Sequence, residues 1–182
     1  MNGTAELKTE RLLLRRHRME DAEILYRNFG SDEEMYAYSG WNPYETPEKS
    51  EETVHRFISS YDQPDFYGWA IEKDGKLIGT IGAYDYDPGK NCIEAGFSIE
   101  RASWNHGYAT EALKCVLDYL MEHEGISTVT AWCALDNTGS KRTLEKAGMK
   151  QLRVNKDELN VNERTYDQLI YAIRKETADS EK

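Results

Sequence analysis

The residues with the clearest capacity for chemistry lie in one turn between two regular segments. The stretch from Phe97 to Leu113 reads FSIERASWNHGYATEAL: an alternating pattern ends, a short loop follows, and a helix begins around Gly107. A helix start offers N–H groups without intrahelical partners and the positive end of the helix dipole, which together favour anions. Gly107 lets the backbone approach a ligand closely, and Ala109 is too small to obstruct it. An ordinary strand-to-helix turn has the same pattern, so both interpretations stay open on these residues alone.

Two further blocks occur in a fixed order with this one. The sequence has TERLLLRR at residues 9–16, WNHGYATEA at 104–112 and DNTGSKRTLEKAGM at 136–149. The middle block resembles the acetyl-CoA site of the GNAT acyltransferases, Gln/Arg-x-x-Gly-x-Gly/Ala. It is closest to the ribosomal-protein N-terminal acetyltransferase branch, which has Trp-Gly-x-Gly-Tyr-Ala-Thr-Glu-Ala, and the other two blocks are similar to that branch as well. The likeness runs from about Thr9 to Ile173. Asn105 replaces the usual Gly and Met149 the usual Phe, and because Asn tolerates positive φ we expect the tight loop to survive.

The resemblance implies that acetyl-CoA is the co-substrate. Its diphosphate is expected on the backbone amides of residues 105–110, and its pantetheine arm beside residues 97–99, in a gap toward the strand that ends near Ala134. Asn137 is expected to contact the arm, to cap the following helix, or to do both. His106 either adds charge at a position that is often basic in relatives or is simply an exposed loop residue. The expected cofactor-binding residues are Phe97, Ser98, Ile99, Asn105, His106, Gly107, Tyr108, Ala109, Thr110 and Asn137.

Acetyl transfer needs a neutral amine, and aliphatic amines are mostly protonated at pH 7. Glu94 is the candidate base because it shares a strand face with Gly96 and Ser98; the alternative is a half-exposed strand carboxylate. Ser140 is the candidate proton donor to the leaving sulfur because relatives place a serine there. Alternatively, it only satisfies backbone groups in its helix. No cysteine is adjacent to a histidine in the sequence, which favours direct attack in a ternary complex over an acyl-enzyme.

The acceptor site is predicted in an aromatic segment, residues 36–44, that resembles the variable region lining acceptor pockets in the family. Its alternative is a surface loop with a small satellite core. The candidate acceptor-binding residues are Tyr36, Trp41 and Tyr84. The branch resemblance favours a protein N-terminus or a small primary amine as acceptor. A non-catalytic acyl-CoA-binding sensor or interaction module on the same fold remains the alternative function.

The composition limits which partners, metals and cellular locations are expected. The 182 residues predict one domain, residues 1–174, followed by a charged tail, residues 175–182. With 23 Lys and Arg against 33 Asp and Glu, the net charge of −10 disfavours nucleic acid and anionic membranes as partners and favours a cationic acceptor. The three cysteines and four histidines lack metal-ligand spacing, so we expect no metal. Met1 to Arg16 contain no signal-peptide pattern, so a cytoplasmic protein is expected, as a monomer or homodimer.

The patterning predicts an α+β fold with a mixed, mostly antiparallel central sheet flanked by helices, and the resemblance adds splayed central strands. The predicted element order is β-α-α-β-β-β-α-β-α-β-β. Asp74-Gly75 marks a hairpin, Thr46-Pro47 begins a helix that runs to about Tyr61, and Gly148 ends a short helix. The last two strands are predicted near Met149–Val154 and Gln168–Ile173.

Overall fold

The computed structural model describes residues 1–39, 41–161 and 164–175. Eight strands form one sheet in the order β1-β2-β3-β4-β5-β6-β8-β7, in which only the β5–β6 pair is parallel. The predicted α+β class is therefore confirmed. The strands are β1 (Leu7–Lys8), β2 (Leu13–Arg15), β3 (Tyr67–Lys73), β4 (Lys76–Asp87), β5 (Cys92–Ile99), β6 (Thr128–Ala134), β7 (Lys150–Val161) and β8 (Arg164–Arg174).

The described helices follow the predicted caps closely. Thr46 accepts a hydrogen bond from the Lys49 amide at 3.2 Å and is followed by Pro47, as the sequence predicts for a helix start. The helices are α1 (Asp21–Leu25), α2 (Glu33–Tyr36), α3 (Pro47–Ser60), α4 (Tyr108–Asp118) and α5 (Thr138–Lys146). Single π-helical turns, Tyr26–Gly30 and Tyr119–His123, continue α1 and α4, and Arg101–Ser103 is a 3₁₀ turn. In the described ranges, no helix has the length and apolarity needed to cross a membrane.

Two hydrophobic cores lie on opposite faces of the sheet. Strand β5 alternates as predicted, and its buried residues Ile93, Ala95 and Ile99 pack with Leu113 and Val116 of α4. The smaller core lies on the other face, where Ala22, Leu25, Phe29, Tyr44, Val54, Ala70 and Leu77 pack together. Residues at alternate positions of β4 and β5 therefore face either α4 or the side of the sheet that carries α1 and α3.

Helix α5 ends as the sequence predicts. Gly148 has φ 91° and its amide donates to the Glu145 carbonyl at 3.0 Å, while the Met149 amide donates to the Leu144 carbonyl at 3.1 Å. These two bonds form a Schellman motif, which requires a left-handed residue at Gly148. Met149 is buried at 3% exposure, so it fills the apolar position where the related sequences have Phe.

The predicted extents of the last two strands were wrong, and two short elements were not predicted. The last two strands are 12 and 11 residues long, much longer than predicted, because residues 155–158 and 164–165 are all polar and carry no hydrophobic alternation. The short strand β1 and helix α2 were not predicted, since two and four residues are too few to show a hydrophobic period.

In the tail, the Lys175 side chain donates to the Met121 carbonyl at 3.3 Å, and residues 176–182 lie outside the described part of the chain.

Candidate active site

A cleft opens in the middle of the sheet, between β5 and β6. The two strands pair over only three positions, Cys92 with Thr128, Ile93 with Val129 and Glu94 with Thr130. Beyond that point β5 continues to Ile99 paired with β4 alone, and β6 continues to Ala134 paired with β8 alone. The predicted splay of the central strands is thus confirmed, and the diverging edges leave backbone N–H and C=O groups facing the cleft.

At the open end of this cleft lies the turn that begins α4. Gly107 immediately precedes the helix with φ 80°, and Asn105 has φ 62°, so the Asn at this position does adopt the left-handed conformation. The first intrahelical bond joins the Glu111 amide to the Gly107 carbonyl at 3.0 Å. The amides before Glu111 therefore lack intrahelical acceptors, as an anion site requires. The turn is fixed to β5 because the Trp104 indole N–H donates to the Ile99 carbonyl at 2.6 Å.

Glu94 lies at the apex of the cleft, on the last residue pair that joins β5 to β6. Its Cα partner on β4 is Tyr84, whose ring lies across Gly96: a Cβ on Gly96 would come within 2.7 Å of the Tyr84 hydroxyl oxygen. A side chain at position 96 would therefore displace this tyrosine from the Glu94 side of the sheet. A bulge in β4 follows, where Asp85 has φ 56°.

The surroundings of Glu94 change its acidity. Burial raises the pKa of the Glu94 carboxyl above its usual value, the nearby Tyr84 hydroxyl and Trp132 indole N–H partly offset the rise, and the nearby charge of Asp85 adds to it. Burial and the Glu94 charge also raise the pKa of the Tyr84 hydroxyl. A carboxyl whose pKa is raised toward neutrality is better suited to accept a proton from an amine than an ordinary surface carboxylate.

Asn137 and Ser140 are brought together at the start of α5. The Asn137 side-chain oxygen accepts a hydrogen bond from the Ser140 amide at 3.1 Å, which confirms the capping role of Asn137. Ser140 is half-buried in the first turn of the helix. Within residues 1–39, 41–161 and 164–175, no direct hydrogen bond links Ser140 to Glu94, and the two candidate catalytic residues lie on different elements, α5 and β5.

The predicted acceptor residues divide into two groups. Tyr84 is beside Glu94 and 45% exposed, whereas Trp41 is 65% exposed and Tyr36 is half-buried at the end of α2. Between them Tyr38 packs edge-on against Tyr166 of β8, with ring centroids 5.5 Å apart, so this segment reaches the β8 side of the sheet. Tyr44 belongs to the smaller core, so the satellite-core interpretation is correct for that residue.

Two residues at the site were not identified from the sequence. Trp132 on β6 follows Thr130 by two positions and so shares its face beside Glu94, but only the β5–β6 register reveals this. Trp104 occupies the Gln/Arg position of the general acetyl-CoA signature and matches the Trp of the ribosomal-protein branch, but the sequence did not reveal its contact. Its indole bond to β5 indicates a structural role there.

A separate cavity of about 520 Å³ lies outside this cleft. We call it the α1 groove, because it lies between the α1 side of the molecule, at Ile24 and Asn28, and Leu77, Glu100 and Ser103. Across the described ranges, no group of three or more His, Cys, Asp or Glu side chains is arranged to hold a metal ion.

A mixed sheet that splays at its centre, with a helix start at the mouth of the opening, is the architecture of an acyl-CoA-dependent N-acyltransferase. Residues 11–150 match the family model described as the acetyltransferase (GNAT) domain. The chain therefore belongs to the GNAT acetyltransferase family, and it is an acetyl-CoA-dependent N-acetyltransferase.

Similar proteins support the assignment. The chain is 32% identical over 171 residues to the uncharacterized N-acetyltransferase YoaA of Bacillus subtilis (strain 168), covering 93% of this chain and 96% of that one. A crystal structure of a GNAT-family acetyltransferase from Bacillus anthracis is 26% identical with a TM-score of 0.81, over 93% of this chain and 98% of that chain. RimL, the ribosomal L7/L12 α-N-protein acetyltransferase in complex with coenzyme A, has a TM-score of 0.84 at 15% identity, over 93% and 98% of the two chains. At 15% identity, the likeness to RimL shows that the two proteins share a fold.

Proposed function

We propose that this chain acetylates a primary amine by direct attack within a ternary complex of protein, acetyl-CoA and acceptor. One observation carries the proposal: the cleft between β5 and β6 joins a helix start with free amides at its mouth to a carboxyl of raised pKa at its apex. The first feature suits a diphosphate and the second suits a protonated amine. Their separation by one strand length leaves room for an extended arm between them.

The cofactor contacts follow from the backbone. Amides of residues 105–110 hold the diphosphate, and the unpaired edge of β5 at Phe97, Ser98 and Ile99 hydrogen-bonds the pantetheine arm, as an added strand would. Asn137 contacts the arm from the α5 side while it caps that helix. Acetyl-CoA supplies an activated thioester at this position.

Glu94 and Ser140 move the protons. The acceptor nitrogen attacks the thioester carbon, a C–N bond forms and the C–S bond breaks. Glu94 takes the proton that the nitrogen loses, and Ser140 donates a proton to the departing sulfur and regains one from solvent. The raised pKa of Glu94 supports the first role. The position of Ser140 in the first turn of α5, beside Asn137, supports the second.

The acceptor is a protein N-terminus or a small primary amine. Asp85 and Glu94 at the apex and the net charge of −10 favour a cationic group. Tyr36, Trp41 and Tyr84 provide aromatic contacts for the part of the acceptor next to the amine. The likeness to RimL, whose name describes action on the α-amine of a ribosomal protein, favours the protein N-terminus.

We place the reaction in the cytoplasm, with the protein acting as a monomer or homodimer. Cys92, Cys115 and Cys133 are all free thiols, and burial raises the pKa of the Cys133 thiol to about 11. Unpaired thiols are typical of a reducing compartment.

A turnover assay tests this function. The protein is mixed with acetyl-CoA and a panel of peptides with free N-termini, polyamines and aminoglycosides, and CoA release is followed; each active acceptor is repeated in its pre-acetylated form as the control. We expect release with at least one free amine and none with its acetylated form. Acetyl-CoA binding without turnover across the panel would support the non-catalytic sensor instead, and an absence of binding would contradict the cofactor site.

A further inference from the structure

Arg11 connects three parts of the turn that begins α4. Its Nη1 donates to the His106 carbonyl at 3.0 Å, and its guanidinium packs over the Tyr108 ring, 4.7 Å from the centroid. Its Nε and Nη2 donate to the Glu111 carboxylate at 2.7 and 2.6 Å. A planar guanidinium can make these contacts at once because its donors form a rigid fork.

The negative charge of Glu111 is the one that most needs Arg11 as its partner. It lies in the first turn of α4, where the helix dipole favours an acidic side chain, but where a bound diphosphate would be repelled by it. Its carboxylate also accepts from the Thr9 hydroxyl at 2.5 Å and from the Arg11 amide at 3.0 Å. Although partial burial alone would raise the pKa of Glu111, the bonds from Thr9 and Arg11 lower it below its usual value, so the carboxylate stays ionised.

The turn itself needs support. Asn105 and Gly107 on either side of His106 both have positive φ, and the left-handed conformation costs a non-glycine residue about 1–2 kcal/mol. The Arg11 bond to the His106 carbonyl holds the residue between these two positions. The His106 ring adds a second restraint, because its Nδ1 lies 2.7 Å from the Trp104 carbonyl oxygen.

We propose that Arg11 is a positioning residue for the diphosphate site: it neutralises Glu111 and braces the turn at His106, so that the amides of residues 105–110 present a preformed anion site. The inference rests on the proposed role of that turn in binding the diphosphate. It also gives a physical reason why the TERLLLRR and WNHGYATEA blocks occur together, since Thr9 and Arg11 of the first meet Glu111 of the second across about one hundred residues of sequence.

Binding measurements on five proteins test this role: wild type, Arg11→Gln, Arg11→Lys, the double variant Arg11→Gln with Glu111→Gln, and the control Arg27→Gln. The control breaks an exposed ion pair, Arg27 with Glu23, in which both side chains are 69% exposed. Each protein is titrated with acetyl-CoA by calorimetry and with S-acetylpantetheine, which lacks the diphosphate, by ligand-observed NMR. Melting temperatures report folding separately.

We expect Arg11→Gln to weaken acetyl-CoA binding about tenfold, because about one molecule in ten would keep a competent turn. Binding of S-acetylpantetheine is expected to stay unchanged. The double variant should recover part of the loss, since it removes the carboxylate left unpaired, and Arg27→Gln should bind as wild type does. Arg11→Lys keeps the charge without the fork, so it should weaken acetyl-CoA binding by a smaller factor. It replaces Arg11→Gln if that variant does not fold.

Unchanged acetyl-CoA affinity in Arg11→Gln would overturn the inference and leave the proposed function intact. Equal losses for both ligands would also overturn it, because they would indicate a general structural effect. A double variant as weak as Arg11→Gln would contradict the neutralising role. If wild type itself does not bind acetyl-CoA, it is the proposed function that fails.

Discussion

The proposed cofactor end and the proposed acceptor end of the cleft are built differently. At the cofactor end, residues 104–110 are held by the Arg11 side chain and by the Trp104 indole bond to β5, and the groups proposed to meet the ligand are backbone amides. At the acceptor end, residues 31–45 carry the exposed Trp41 and reach the rest of the sheet through side chains such as Tyr38 and Tyr44. One end is specified by backbone conformation, which the fold supplies, and the other by side chains from separate segments, which can vary without changing the fold.

The largest expected effect is at the apex between the two ends. Glu94→Gln removes the proposed base while keeping the size and polarity of the side chain, so kcat should fall about a hundredfold or more. Acetyl-CoA affinity should be unchanged, because the cofactor end is untouched. Steady-state kinetics with any active acceptor measure the first quantity, and calorimetry the second. A variant with wild-type kcat would remove Glu94 from the mechanism.

The next largest effect is expected on acetyl-CoA affinity, from a change at the proposed cofactor end alone. Gly107→Ala places a Cβ at φ 80°, which should cost about 1–2 kcal/mol of stability and move the amides proposed to hold the diphosphate. Acetyl-CoA binding should weaken about tenfold if one molecule in ten keeps the native turn. Gly125→Ala is the matched control: Gly125 has φ 74°, and a Cβ added there would meet no atom within 4 Å, so it carries the same strain without the ligand site. Equal affinity losses in both variants would contradict a local role for Gly107.

A smaller effect concerns the acidity of Glu94. Its carboxylate must be ionised to act as a base, so kcat/KM should fall as pH falls through its raised pKa. Tyr84→Phe removes a nearby hydroxyl that favours the ionised form of Glu94, so the pKa of Glu94 should rise further. The acidic limb of the pH profile should then move to higher pH by roughly half a unit to one unit. Both proteins are assayed with the same acceptor, so that the titration of the amine cancels. A limb that stays in place or moves to lower pH would contradict the assigned contact.

The smallest effect is confined to the acceptor end. Trp41→Ala removes a side chain that is 65% exposed, so stability should change by no more than about 0.5 kcal/mol. KM for the acceptor should rise about three- to tenfold, the effect of one aromatic contact worth about 0.5–1.5 kcal/mol. Acetyl-CoA affinity should not change. If the KM for the acceptor does not change, Trp41 does not contact the acceptor. The surface-loop interpretation is then correct for that residue.

The same contrast explains what the sequence could predict. The alternation in β5, the cap at Thr46 and the C-terminal Gly148 of α5 are local patterns, so each was predicted from a few neighbouring residues. The positive φ at Asn105 was anticipated because its residue type and position are local as well.

Relations between distant segments were not predictable in this way. The edge-on packing of Tyr38 against Tyr166 and the placement of Trp132 beside Glu94 depend on strand register and on the path of the segment that carries Tyr38. The two members of each pair are far apart in the sequence, and neither residue carries a local signal of its partner. The acceptor end is therefore the part that sequence alone describes least.

A crystal structure of the protein with coenzyme A bound tests the central claim most directly. We predict diphosphate oxygens within hydrogen-bonding distance of amides in residues 105–110 and the pantetheine arm between β5 and β6, with its sulfur on the Glu94 side. Coenzyme A bound in the α1 groove, with the cleft between the strands left open, would contradict the account.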